Sequence, residues 1–190
     1  MAAVVLAVVG FFVTDRFGTQ WALFGPDGDE LDRARLESGR LVLRAKGASL
    51  ADCSPLVCTV GDRHYEAEIE FELDEGVQAG MALFYDGRGH LGLGFDGRTM
   101  FTHQFGEEQA WMRTKAPARR YRIRLRNAAH NVAFDYALDD GPWIRQDWQR
   151  EVSGYHHNVF GGFLALRIAL FAIGRGEVRW RRFRYRALQA

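Results

Sequence analysis

Four glutamates, Glu66, Glu68, Glu70 and Glu72, occupy alternate positions in the run Tyr65-Glu66-Ala67-Glu68-Ile69-Glu70-Phe71-Glu72-Leu73. On an extended strand, alternate residues share one face about 6.5 to 7 Å apart. That is near the spacing at which two carboxyl groups can divide the work of glycoside hydrolysis. Glu68, Glu70 and Glu72 are therefore one candidate catalytic set. The competing reading is a charged face. Tyr121-Arg122-Ile123-Arg124-Leu125-Arg126 places three guanidinium groups at the same period, and cross-strand carboxylate–guanidinium pairs contribute roughly 0.2 to 1 kcal/mol each. Catalysis predicts carboxyls in a cleft with raised pKa values, whereas the ladder predicts arginine partners.

A second set is Tyr155-His156-His157-Asn158. Its aromatic, imidazole and amide groups suit stacking on a sugar ring and hydrogen bonding to its hydroxyls, as at an active-site rim. Loop packing is the plainer alternative. Adjacent histidines on a strand point to opposite sides, so His156 and His157 do not make a metal pair without a bent backbone and further ligands, and no metal site is assigned. Tyr85, His103 and Trp111 form a third set, which becomes a stacking platform for a glycan if all three share the concave sheet of a sandwich. Aromatic residues of a sandwich more often pack in its core, as expected for Trp21, Trp143, Trp148 and Trp180. Gly92-Leu93-Gly94 has no following helix to turn amides onto a phosphate and reads as packing geometry. No cofactor is implied.

The elements that must position these groups are strands. Asp-Gly pairs at 86–87, 96–97 and 140–141 separate apolar runs and suit hairpin turns with φ > 0. Strands are expected at 41–46, 65–73, 79–85, 91–95, 99–105, 121–126, 132–138, 143–148, 164–172 and 177–185. No segment keeps helical periodicity for three turns, and 21 glycines would interrupt helices repeatedly. Val178 and Trp180 share one face while Phe183 and Tyr185 have the opposite parity, which predicts a β-bulge at Arg181-Arg182. The expected fold is all-β: an antiparallel two-sheet jelly-roll sandwich of about 12 to 14 strands.

At 190 residues the chain fits one domain with a substantial core. It carries 25 Lys plus Arg against 24 Asp plus Glu, a net charge of +1 that creates no general field for nucleic acid or an anionic membrane. Cys53 and Cys58 are too far apart along an extended segment to join, which predicts free thiols and a reducing compartment, cytoplasmic rather than secreted. Residues 1–13 are apolar but lack a leading basic residue and are too short to span a bilayer, so residues 1–11 read as an extension or domain junction before a domain over 12–190. Asp15 alone is too little for a calcium site.

Several segments in order carry a resemblance: Asp15-Arg16-Phe17-Gly18-Thr19-Gln20-Trp21, Leu41-Val42-Leu43-Arg44-Ala45-Lys46-Gly47, Asp52-Cys53-Ser54-Pro55-Leu56, Ala79-Gly80-Met81-Ala82-Leu83-Phe84-Tyr85, Val152-Ser153-Gly154-Tyr155-His156-His157-Asn158 and Gly174-Arg175-Gly176-Glu177-Val178-Arg179-Trp180. From Phe12 to about Leu188 the chain resembles the concanavalin A-like (laminin G-like) sandwich that follows the five-bladed propeller of glycoside hydrolase family 43, the β-xylosidase and α-arabinofuranosidase group. The resemblance implies a non-catalytic accessory domain that supports a catalytic propeller in cis or in trans and contacts xylan- or arabinan-derived oligosaccharides, because the family's catalytic carboxyls belong to the propeller and no segment of these 190 residues resembles it. A free-standing carbohydrate-binding module and a glycosidase using Glu68, Glu70 and Glu72 remain the alternatives.

Overall fold

In the computed structural model, residues 7–9, 18–26 and 28–189 are described. The quoted Asp15-Arg16-Phe17 lies outside them. Sixteen strands follow one another: β1 (Ala7–Val9), β2 (Trp21–Leu23), β3 (Ala34–Glu37), β4 (Arg40–Arg44), β5 (Leu56–Cys58), β6 (His64–Leu73), β7 (Val77–Phe84), β8 (His90–Phe95), β9 (Thr99–Gln104), β10 (Glu107–Glu108), β11 (Thr114–Lys115), β12 (Tyr121–Ala128), β13 (Asn131–Leu138), β14 (Ile144–Glu151), β15 (Arg167–Gly174) and β16 (Glu177–Ala187). A four-residue helix, α1 (His157–Phe160), and two 3-10 turns complete the described elements. The strands form two eight-stranded antiparallel sheets. One runs β14-β13-β12-β6-β16-β4-β3 with β1 on β16, and the other runs β10-β9-β8-β7-β15-β5-β2 with β11 on β9. The all-β sandwich expected from sequence is the observed fold. The strands beyond the expected 12 to 14 include β10 and β11, whose two residues carry no periodicity to read.

In the first sheet, alternation does what the pattern requires. Tyr65, Ala67, Ile69 and Phe71 of β6, Tyr121, Ile123 and Leu125 of β12, and Val178 and Trp180 of β16 turn inward. They meet Met81, Leu83, Leu91, Leu93 and Phe95 of the second sheet. Phe71 is the hub, with its ring 4.6 Å from Trp180, 5.6 Å from Tyr121 and 6.3 Å from Phe95. The bulge falls where parity demanded it. The register of β16 against β6 shifts between Arg181 and Arg184, Arg182 takes a left-handed φ of 53°, and both Trp180 and Phe183 are buried.

The second sheet is covered on both faces, which explains why β7, β8 and β15 read as continuous apolar runs rather than alternating ones. On its outer face Val57, Ala82, Phe84, Phe101, Ala169, Phe171 and Ile173 make a second core with Leu50 and Cys53 of the 45–55 loop. Arg33 holds that loop, donating to the carbonyls of Arg44, Cys53 and Ser54. Both cysteines are free and buried, and burial pushes each thiol up to about 12. Gly80, Gly92 and Gly94 exist to seat this layer. A Cβ on Gly94 would meet the rings of Phe101 and Phe171 at 2.6 and 2.8 Å.

The Asp-Gly pairs work differently from the expectation that glycine supplies φ > 0. Only Gly97 does so, at 89°. At 86–89 the Asp86 carboxylate orders the turn by accepting from the amides of Arg88 and Gly89, each at 2.8 Å. At 139–141 the left-handed residue is Asp139, at φ 50°.

The tightest backbone approach gives a direct test. A Cβ on Gly80 would sit 2.1 Å from the Leu93 carbonyl oxygen, whereas one on Gly61 would meet nothing within 4 Å. Gly80→Ala is expected to lower unfolding free energy by more than about 2 kcal/mol in urea titrations, while Gly61→Ala stays within about 0.5 kcal/mol of the parent.

Candidate functional site

Two surfaces carry the residues singled out in sequence. The first is built around the segment from Tyr155 to Leu166. Tyr85, fully buried at the end of β7, donates its hydroxyl to the Gly161 carbonyl and accepts from the Leu164 amide at 3.0 Å. Tyr155, also buried, accepts from the Phe105 amide at 3.3 Å and stacks on the Phe105 ring at 5.1 Å. Phe160 packs between these tyrosines, at 5.8 and 5.9 Å, and its carbonyl accepts from Arg88. His156 caps α1, its Nδ1 accepting from the Asn158 amide at 3.2 Å.

The other side of this loop is apolar and open to solvent. Phe163 is 88% exposed and Val159 60%, with Leu164 next in the chain; Phe105, on the turn after β9 that Tyr155 holds, is 56% exposed. His157 stacks on Phe163 at 5.0 Å. Gly161 and Gly162 have φ of 78° and 77°, and Phe163 itself is left-handed at 48°, so the backbone turns outward there at a conformational cost for a bulky residue. Sequence reasoning named the histidines and tyrosines of this loop but missed Phe105, Val159, Phe163 and Leu164. The signal was available: Phe160-Gly161-Gly162-Phe163-Leu164 is an apolar run with two adjacent glycines that fits neither strand nor helix periodicity.

Tyr85, His103 and Trp111 do not form a stacking platform. Tyr85 and His103 lie in the interior and offer no ring face. His103 sits under the second sheet against Phe101 at 5.4 Å, His90 at 5.5 Å and Phe171 at 5.7 Å. Trp111 stands apart at 75% exposure on the 3-10 turn Ala110–Met112, donating to Gln109 Oε1. The rings of Phe101 and Phe171 in the second core shut in His103, and the 155–166 loop shuts in Tyr85.

The second surface is the outer face of the first sheet. The register sets Glu66, Glu68 and Glu70 opposite Arg126, Arg124 and Arg122 on β12, and opposite Arg186, Arg184 and Arg181 on β16. Arg124 binds Glu68 at 2.7 Å, and Glu66 receives Arg126 at 2.7 Å and Arg186 at 2.6 Å. Arg181 reaches Glu72 at 3.2 Å and Arg182 reaches Glu70 at 3.6 Å. This is the arginine-partnered arrangement, with one correction: the face is not simply solvated, since Glu66 and Glu70 are 3% and 6% exposed. Among the described residues no group of three His, Cys, Asp or Glu side chains could hold a metal, and no helix is long and apolar enough to cross a membrane.

Neither a family model nor a curated protein matches the chain. Solved structures do. The GH43 protein BlXynB of Bacillus licheniformis superposes with a TM-score of 0.81 at 18% identity, covering 95% of this chain and 39% of the other. The xylan β-1,4-xylosidase of Bacillus halodurans gives 0.78 at 16%, covering 94% and 38%. The fold is that of one part of family 43 glycoside hydrolases. The chain thus spans about two fifths of the length of these enzymes. A functionally unknown Saccharomyces cerevisiae protein also matches, with a TM-score of 0.60 at 12% identity, and there the match covers 90% of this chain and 98% of that one.

The buried imidazoles generate a pH prediction. Burial, and then the neighbouring His90 and Arg113, lower the His103 pKa from 6.5 to about 3, and burial lowers His90 as well. The folded state keeps His103 neutral where the unfolded chain takes up a proton, so this contribution is complete above pH 6.5 and is lost as pH falls toward 3. Unfolding free energy is expected to drop by up to about 1.4 kcal/mol per pH unit for each imidazole held neutral. His103→Leu should flatten the acid limb of a stability profile recorded by chemical denaturation.

Proposed function

We propose that this chain acts as a non-catalytic accessory domain for a family 43 catalytic propeller, in cis or in trans. The observation that carries the reading is the pairing of near-complete coverage of this chain with only about two fifths of the family 43 enzymes. The Phe105, Val159, Phe163 and Leu164 surface supports it. Exposed apolar side chains on a loop and a neighbouring turn, both held by buried tyrosines, are what a docking edge needs, rigid from behind and hydrophobic in front. In this reading the 155–166 loop meets the propeller near its substrate cleft, and His156 and His157 stand at the rim within reach of xylo- or arabino-oligosaccharides. Glu68, Glu70 and Glu72 serve as ladder partners of arginine, and hydrolysis belongs to the propeller.

A second reading, a free-standing carbohydrate-binding module, draws on the Saccharomyces cerevisiae protein that shares nearly its whole length with this fold. The two separate experimentally. The purified chain is expected to release no nitrophenol from 4-nitrophenyl β-xyloside, and to bind a family 43 propeller supplied in trans with an affinity that Phe163→Asp weakens at least tenfold in calorimetry. Enzyme-like turnover by the chain alone would overturn the accessory reading, and so would a propeller that ignores it while xylan or arabinan oligosaccharides bind directly.

A further inference from the structure

The Glu/Arg ladder on the first sheet closes at Glu66 and loosens at Glu68 and Glu70, and the loosening makes a site. At Glu66 both flanking arginines close on the carboxylate. At Glu68 only Arg124 does so, and Arg184, directly opposite in the register, makes no ion pair among the described residues. The bulge causes this. It splays Arg182, left-handed and 72% exposed, and Arg184 around a depression of about 240 Å³ instead of letting them close the row. Bulges commonly re-aim side chains at functional positions.

Trp143 forms the far wall. Arg122 and Arg124 lie over its ring at 5.0 and 4.1 Å, which fixes the indole and both guanidiniums together. Arg122 is spent on no carboxylate. It donates to the Gly141 carbonyl at 2.6 Å, and its Nε is buried without a partner. The depression therefore holds an excess of guanidinium over carboxylate beside an aromatic ring, with Glu68 and Glu70 as acceptors at its edge.

We infer that this depression is a binding site for a uronate, a pyranose ring bearing a carboxylate. The volume suits one sugar ring. Arg184 presents a forked donor for a planar carboxylate, with Arg182, drawn toward Glu70, beside it; the part of Trp143 that lines the depression gives the ring an apolar edge to pack against, and Glu68 and Glu70 accept from sugar hydroxyls. A neutral sugar would leave Arg184 without a counter-charge, and a bare anion would leave the acceptors Glu68 and Glu70 and the edge of the indole unused. The inference does not rest on a propeller partner and is tested on the chain by itself.

The Trp143 indole N–H resonance, assigned by its disappearance in Trp143→Phe, reports binding directly. Sodium D-glucuronate or D-galacturonate is expected to shift it with a millimolar Kd, while D-glucose leaves it in place and sulfate shifts it at least tenfold more weakly. Arg184→Gln removes an exposed, unpaired side chain, so the fold is kept and uronate binding should weaken at least tenfold. The inference is overturned if neither uronate moves the resonance, if glucose moves it equally, if sulfate alone binds as well as the uronates, or if Arg184→Gln binds them unchanged.

Discussion

The structure depends on the register between β6 and its two neighbours. Side chains alternate with a period of two, so a slip of one residue would turn Phe71, Tyr121 and Trp180 to solvent and drive glutamates and arginines between the sheets. Two independent demands select the same pairing. Aromatic rings need one another on the inside, and a row of carboxylates needs a row of guanidiniums on either side of it. Half-exposed ion pairs contribute little net stability, commonly less than about 1 kcal/mol each. Buried Glu66 is different, because its two arginines are what make a carboxylate tolerable in that position. The ladder therefore specifies the alignment while the core supplies most of the stability.

The two sheets solve opposite problems. The first carries charge outside and aromatics inside. The second is apolar on both faces and is sealed by the 45–55 loop, its glycines letting Phe101 and Phe171 lie against the backbone. That seal removes the open aromatic groove a sandwich lectin would need on the second sheet and leaves exposed aromatic surface to the loops. It also encloses His90 and His103 in surroundings where only the neutral imidazole is stable.

Much of this was legible in the chain. The nine-residue alternation at 65–73 and the shorter one at 121–126 marked the central strands, and the parity conflict between Trp180 and Phe183 placed the bulge. These are local patterns with a fixed period. The candidate site was less legible. Tyr85 and His103 were open to a core or a surface reading because alternation reveals that a residue has a face, not what covers it: the 155–166 loop covers Tyr85, and His103 packs against Phe101, His90 and Phe171. Phe163 was overlooked because its role depends on two glycines turning the backbone outward. The vacancy beside Arg184 could be seen only once strands distant in sequence were side by side. The likeness to family 43, carried by short segments in order, anticipated the fold match that superposition found at identities below one in five.

The place of β16 in the first sheet has a consequence for how the molecule is made. This strand, residues 177–187, lies between β6 and β4, whose residues are more than a hundred positions earlier. A nascent chain leaving the ribosome therefore exposes β4 and the charged, aromatic-backed β6 while more than a hundred further residues are made before their shared neighbour exists. Sheet closure waits on β16, and until that strand is made the inner aromatics of β6 are a target for chaperones or for wrong pairing between copies.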